Sequence, residues 1–170
     1  MTIVNSVLFV CWGNICRSPA AVLILKREMK RLGIQGVTID SAGISPDDKL
    51  VNPSWSMRWA SLRRGFWWKP RPRMLTRRDL ARFDLVLAMD SRVMFAIRTL
   101  AKGTPNNAKM LSEFLPDHWP VDVPDPMRRS APVCNRALDM METACSTIGS
   151  FLGRQVVTAN QAVTSNMVLG

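Results

Sequence analysis

The sequence predicts an open α/β sheet in a single domain, with parallel strands and helices on both faces. Three observations carry this reading. Short apolar, β-branched runs alternate with helical patterns along the chain. The first such run flows through a Cys-Trp-Gly-Asn turn directly into a helix start. And 170 residues, 47% of them apolar, supply one sizeable core.

Taken in order, residues 5–10 read as a buried strand, with Val7, Leu8, Phe9 and Val10 in succession. Ser18-Pro19 is expected to open a helix, Ser as N-cap and Pro in the first turn, which runs to residue 31 or 32 and stops at Gly33. Residues 36–41 form a second strand leading into Ala42-Gly43, and 53–64 a helix ending at Gly65. Residues 84–89 are the third strand, followed by a helix over 91–101; residues 109–111 are a short fourth strand. Pro116, Pro120, Pro124 and Pro126 keep the next segment irregular. The last helix is the clearest element, because Cys134, Ala137, Leu138, Met141, Ala144, Cys145, Ile148, Phe151 and Leu152 follow one helical stripe. The domain is expected to span residues 1–153. Residues 154–170, poor in charge, lie beyond that stripe and are expected to form a loose, flexible tail.

Composition excludes several classes. No apolar run reaches the roughly 18 residues of a membrane span, and the stretch at residues 7–12 is too short and lacks preceding Lys or Arg for a signal peptide. Six Trp, six Phe and eleven Met disfavour disorder. Four cysteines are too few for a disulfide scaffold, and Cys134 and Cys145, about 16 Å apart along a helix, cannot bridge each other. A reducing, cytoplasmic setting is the expectation. The net charge of +10 fits a nucleic-acid binder, a membrane-surface protein or an enzyme for anions. Nine of the cations lie between residues 58 and 82 against one acid, Asp79, so acidic protein partners are a natural expectation. A nucleic-acid role would leave the turn after the first strand unexplained, and is not expected.

That turn, Cys11-Trp12-Gly13-Asn14-Ile15-Cys16-Arg17-Ser18-Pro19, is where chemistry concentrates. Its backbone N–H groups converge before a helix N-terminus, which makes an anion cradle. Arg17 adds a planar fork for two phosphate oxygens. The same field stabilises negative charge on the Cys11 sulfur, and Ser18 is placed to donate to it. Gly13 allows backbone that a Cβ forbids, and Asn14 tolerates a left-handed conformation. A thiolate in a phosphate cradle needs an acid to protonate the leaving oxygen, and Asp125, stiffened by Pro124 and Pro126, is the candidate, with Asp122 as competitor. Trp12 is expected to face a bound aryl group. Asp90 reads as a helix cap, His118 as a loop residue, and Cys134 and Cys145 as core. Trp55 and Trp59 also read as core, or as the pocket rim if exposed. No metal site or cofactor is expected.

The turn closely resembles the signature loop of the low-molecular-weight protein tyrosine phosphatases. Further matches follow in the right order: Asp40-Ser41-Ala42-Gly43, Arg73-Met74-Leu75-Thr76, Phe83-Asp84-Leu85-Val86-Leu87-Ala88-Met89-Asp90 and Asp122-Val123-Pro124-Asp125-Pro126. The resemblance implies a four-stranded parallel sheet and hydrolysis of phosphotyrosine, in a protein or a small aryl phosphate, through a cysteinyl-phosphate. It implies Cys11 as nucleophile, Arg17 as phosphate clamp, Asp125 as general acid and then base, Ser18 as thiolate donor and Asn14 as loop-shaping residue. Trp12, Gly13, Ile15 and Cys16 complete the substrate-binding loop, and Cys16 matches the cysteine that forms a reversible disulfide with the nucleophile in many members. Val22, Pro70 and Met127 depart from the family pattern, and the chain has no Tyr. A thioredoxin-coupled arsenate reductase would need further cysteines for a relay; a silent phosphoprotein-binding module would leave intact catalytic residues unused.

Overall fold

The computed structural model describes residues 3–46, 52–127 and 129–168. Four strands, β1 (Ser6–Cys11), β2 (Thr38–Gly43), β3 (Leu85–Ala88) and β4 (Ala108–Met110), form one parallel sheet in the order β2-β1-β3-β4. Among the described residues five α-helices accompany them: α1 (Arg17–Arg31), α2 (Trp55–Leu62), α3 (Arg77–Arg82), α4 (Ser91–Ala101) and α5 (Ala131–Val168). A 3₁₀ turn, Leu111–Phe114, follows β4. Among the described residues no helix is long and apolar enough to cross a membrane.

Strand alternation divides the core into two layers. Val7, Phe9 and Cys11 of β1, with Leu85 and Leu87 of β3, pack against α1, α2 and α5. Leu8, Val10, Val86 and Ala88 point the other way, against Leu80 of α3 and Val93, Met94 and Ile97 of α4. Both faces of the central strands are therefore dry, which is why their sequences are continuous apolar runs rather than alternating ones.

The structure moves several expected boundaries. Ser18 does not cap α1: the cap lies two residues earlier, at Cys16, because the loop before the helix is tightly wound and the serine hydroxyl is engaged elsewhere. β2 is displaced two residues toward Gly43, since its register follows β1 from Ser6↔Thr38 to Cys11↔Gly43. α3 was not expected; Thr76 and Asp79 close a reciprocal capping box over a segment with a single buried side chain, Leu80, too short to show periodicity. α5 continues to Val168, so the expected division between residues 153 and 154 falls inside a helix. Trp55 and Trp59 are not core. α2 turns Met57, Ala60 and Ser61 inward and leaves both indoles outside.

The carboxyl ends of β1, β2 and β3 converge on one rim, where Cys11, Gly43 and Asp90 lie. The loop after β1 and the proline-rich loop before α5 meet there: Val123 N–H donates to the Met89 carbonyl at 2.9 Å, bringing the 122–126 segment over the strand ends.

Candidate active site

Cys11 closes β1 and is almost fully buried. Its Sγ lies 3.0 Å from Ser18 Oγ and accepts the Asn14 backbone N–H at 3.2 Å. Asn14 Nδ2 donates to Ser18 Oγ at 3.0 Å, and the serine hydrogen has two acceptors in reach, the sulfur and, at 3.4 Å, the Ala42 carbonyl. Toward a Cys11 thiolate, which can only accept, the Ser18 hydroxyl and the Asn14 N–H are the two donors.

Asn14 holds this geometry. It sits at φ 54, in the left-handed region, and is buried. Its Nδ2 also donates to Ser41 Oγ at 2.9 Å, and its Oδ1 accepts the Arg73 backbone N–H at 3.0 Å. The close approach of the loop to β2 requires glycine at position 43: a Cβ there would lie 2.9 Å from the Trp12 carbonyl oxygen and 3.0 Å from Asn14 N. Around the loop, the backbone N–H groups of Gly13, Ile15 and Cys16 have no acceptor among the described residues. Unpaired donors at a helix N-terminus, in a helix whose first turn holds no acid, form a site for an anion.

Arg17 is buried and fixed from behind. Its Nη1 donates to Asp90 Oδ2 at 2.5 Å and to the Val123 carbonyl at 3.0 Å, while Nη2 lies 3.5 Å from Asp125 Oδ2. Burial by itself disfavours the guanidinium charge, but Cys11, Asp125 and Asp90, in that order, outweigh it and raise its pKa. Asp90 does cap α4, through Oδ1 and Val93 N–H, as its sequence position predicts. Its other oxygen anchors Arg17, a second task the sequence does not announce.

The two candidate acids separate cleanly. Asp122 Oδ1 accepts both the backbone N–H and the hydroxyl of Ser91, at 2.8 and 2.7 Å, which ties the loop to α4. Asp125 has one oxygen on Met127 N–H at 3.1 Å and the other toward Arg17, and its side chain is 56% exposed. Pro126 behind it is held by Ser54, the N-cap of α2, whose hydroxyl donates to the Pro126 carbonyl at 3.1 Å.

A pocket of 280 Å³ opens over this arrangement, with Cys11, Arg17 and Asp125 in its lining. Trp12, Gly13, Ile15, Cys16 and Met127 also line it, together with Ser45, which nothing in the sequence singles out. The Trp12 ring carries the Arg92 guanidinium 3.4 Å from its centroid. Should Trp12 not supply the wall, the sequence offers residues 49–55 as the place to seek it; residues 49–51 lie outside the described residues, and Trp55 does not line the pocket. Burial pushes the Cys16 thiol up to about 12, and Cys11 beside it adds to the effect. Cys134 and Cys145 are buried on α5, as expected of core residues. Val22 is half-buried against the core and Pro70 is buried. His118 is exposed beside Trp119.

The basic segment is not one uniform face. Arg64 pairs with Asp139 and Glu142 on α5, and Arg73 with Asp40 and Asp79.

Comparison with known proteins agrees with this geometry. A family profile described as low molecular weight phosphotyrosine protein phosphatase matches residues 6–158. The chain is 38% identical over 126 residues to the low molecular weight protein-tyrosine-phosphatase YfkJ of Bacillus subtilis, covering 71% of this chain and 80% of that one. It is 34% identical over 119 residues to low molecular weight phosphotyrosine protein phosphatase 2 of Drosophila melanogaster, covering 65% and 68%. The crystal structure of YfkJ superposes with a TM-score of 0.76 at 30% identity, covering 89% of this chain and 96% of that one. With sheet, signature loop and sequence all in agreement, the chain belongs to the low molecular weight phosphotyrosine protein phosphatase family.

Proposed function

We propose that the protein hydrolyses aryl phosphomonoesters, phosphotyrosine in proteins foremost, through a cysteinyl-phosphate on Cys11. The observation that carries this is the Cys11 sulfur: it sits at the floor of the pocket under two converging donors, with Arg17 and Asp125 in the same lining.

In the first step the Cys11 thiolate attacks phosphorus, an S–P bond forms and the P–O bond to the aryl group breaks. The unpaired loop N–H groups and the free edge of Arg17 hold the equatorial oxygens, where charge is concentrated. Asp125 delivers its proton to the departing phenolic oxygen. In the second step Asp125 takes a proton from water, the water oxygen bonds to phosphorus and the S–P bond breaks. Ser18 stabilises the sulfur as it leaves with its electron pair. The Arg17–Asp125 approach suits this sequence, because phosphate oxygens would replace Asp125 on Arg17 Nη2 and leave its carboxyl free to take up the proton it then carries to the leaving group. Residues 1–153 contain every side chain used in these steps, so we assign the activity to them and none of it to residues 154–170.

The test is turnover of para-nitrophenyl phosphate. Cys11→Ser should abolish it while leaving vanadate or phosphate binding, since the loop and Arg17 remain; Arg17→Ala should lose both. Appreciable turnover by Cys11→Ser would remove the covalent mechanism.

A further inference from the structure

α2 is apolar on both sides. Met57, Ala60 and Ser61 are buried against the core. On the opposite side Trp55, Trp59 and Leu62 are 68%, 49% and 53% exposed. At about 100° per residue, these three fall within an arc of about 60°, and Arg58 and Arg63 flank it about 40° to either side. The indoles meet edge to face, centroids 5.9 Å apart, and the Arg58 guanidinium stands over Trp55 at 5.8 Å. Arg64, one position on, turns inward to Asp139 and Glu142, whereas neither Arg58 nor Arg63 has an acidic partner among the described residues. Between residues 52 and 78 the sequence holds no acid at all.

Large apolar side chains left in water need a reason when they are contiguous and rimmed by charge. The geometry points to α2 as a docking face for an anionic bilayer surface, which the protein lies on rather than crosses. Indoles and leucine along a central stripe fit the headgroup–acyl boundary, where tryptophan is enriched. Arginines on both flanks reach lipid phosphates while their stems lie along the apolar stripe. The two-sided placement argues for a plane over a peptide. A peptide would run in the shallow groove between α2 and the start of α5, which Trp59, Arg63 and Asn135 line. There Arg63 would be used and Arg58 would not.

Docking by α2 also places the catalytic pocket. Ser54, the cap of α2, donates to the Pro126 carbonyl next to Asp125, so the pocket mouth is joined to the helix that touches the bilayer. This part rests on the hydrolase reading, and it selects phosphotyrosine carried close to a membrane as the substrate class.

The experiment is sedimentation of the full chain with vesicles of phosphatidylcholine alone, or mixed with phosphatidylserine, in saturating vanadate so that lipid phosphate cannot be held at Cys11. Wild type and Cys11→Ser should both bind the mixed vesicles and not the neutral ones, whatever becomes of the catalytic reading, and binding should weaken with salt. The pair Trp55→Ala/Trp59→Ala should lose about tenfold or more in partition, and Arg58→Glu alone about fivefold or more. Para-nitrophenyl phosphate turnover checks that these variants fold; far-ultraviolet circular dichroism does so if turnover proves absent from wild type too. No binding by wild type, or equal binding by wild type and the folded variants, overturns the proposal. Binding lost in Arg63→Glu but untouched in Arg58→Glu also overturns it, in favour of an acidic peptide in the groove.

Discussion

The backbone N–H of Arg73 donates to Asn14 Oδ1 at 3.0 Å, so a residue far along the chain holds the left-handed turn of the phosphate loop. The segment carrying Arg73 is fixed in turn to β2: Gly43 N–H donates to the Arg73 carbonyl at 2.9 Å, and Leu75 N–H to the Gly43 carbonyl at 2.7 Å. Asn14→Ala removes all three side-chain hydrogen bonds and places a Cβ residue without polar compensation at positive φ. We expect a loss of about 1–3 kcal/mol in stability, with a fall in kcat that Asn14→Gly, which relieves only the backbone strain, does not restore. Thermal unfolding and kcat of the two variants decide it. Full recovery in Asn14→Gly would mean that the hydrogen bonds are idle.

The guanidinium of Arg73 supplies a pH-dependent prediction. Burial alone would raise the Asp79 pKa, but hydrogen bonds from Arg73 and Thr76 outweigh it and hold the carboxyl below its ordinary value. A depressed folded-state pKa contributes stability above the unfolded-state value of about 3.9, and that stability disappears as pH falls through the folded value. Asp79→Asn should therefore be less stable than wild type at neutral pH, and the gap should close on acidification below about pH 4. Denaturant midpoints across that range measure it; a gap that stays constant would sink the linkage.

Much of the site was legible because it is local in sequence. Cys11, Asn14, Arg17 and Ser18 occupy one turn, where the needs of a tight loop and of an anion coincide. What escaped is what tertiary contact decides. Asp90 reads as a cap from its position before Ser91, yet its contact with Arg17 spans 73 residues. Ser54 lies unremarked inside the span expected to be helix, yet it caps α2 and its hydroxyl reaches the acid loop. Trp55 and Trp59 show helical spacing, which fits an inward or an outward face equally. Only the smaller side chains of Met57, Ala60 and Ser61, packed inward, settle which. α3 left just a capping box as its signal, because six residues are too few for a period to emerge.

Asp125→Ala should slow para-nitrophenyl and phenyl phosphate turnover by about 10²–10⁴-fold, with the loss greater for the more basic phenyl leaving group. Asp122 is held by Ser91, so Asp122→Ala should loosen the loop and lower stability while costing far less turnover. Single-turnover rates on the two substrates separate the assignments. A larger catalytic loss in Asp122→Ala would exchange their roles.

Cys16 is expected to trap peroxide-oxidised Cys11 as a disulfide that thiols reopen. With its pKa pushed up to about 12 by burial, Cys16 is a thiol at neutral pH, and the attacking thiolate fraction grows about tenfold per pH unit below that value. Under excess peroxide, disulfide closure should accelerate as pH rises from the neutral range, and Cys16→Ser should lose the thiol-recoverable fraction of activity. Recovery in Cys16→Ser as complete as in wild type would end the protective role.

Preference for aryl substrates should rest on Trp12 and on the residue that covers it. Arg92 lies in the first turn of α4, where the helix dipole disfavours a cation, and its guanidinium sits 3.4 Å over the Trp12 ring. The indole thus compensates a poorly placed charge, and the arginine in turn holds the indole as a wall beside Cys11. Aromatic contacts of this type contribute roughly 0.5–1.5 kcal/mol beyond burial, or about two- to tenfold in KM. Trp12→Ala should raise KM for aryl phosphates by that factor with little change for alkyl ones. Arg92→Ala should shift the same preference by less, because the indole remains but is free to turn. Since the two side chains act through one contact, the double variant should be no worse on aryl substrates than Trp12→Ala alone. Arg92 also carries its positive charge on the pocket-lining Trp12, so any advantage of acidic phosphopeptides should fall with salt and be smaller in Arg92→Ala. An aryl-to-alkyl KM ratio unchanged in Trp12→Ala would take the indole out of substrate selection and leave Met127 and Ile15 as the walls that remain in the lining.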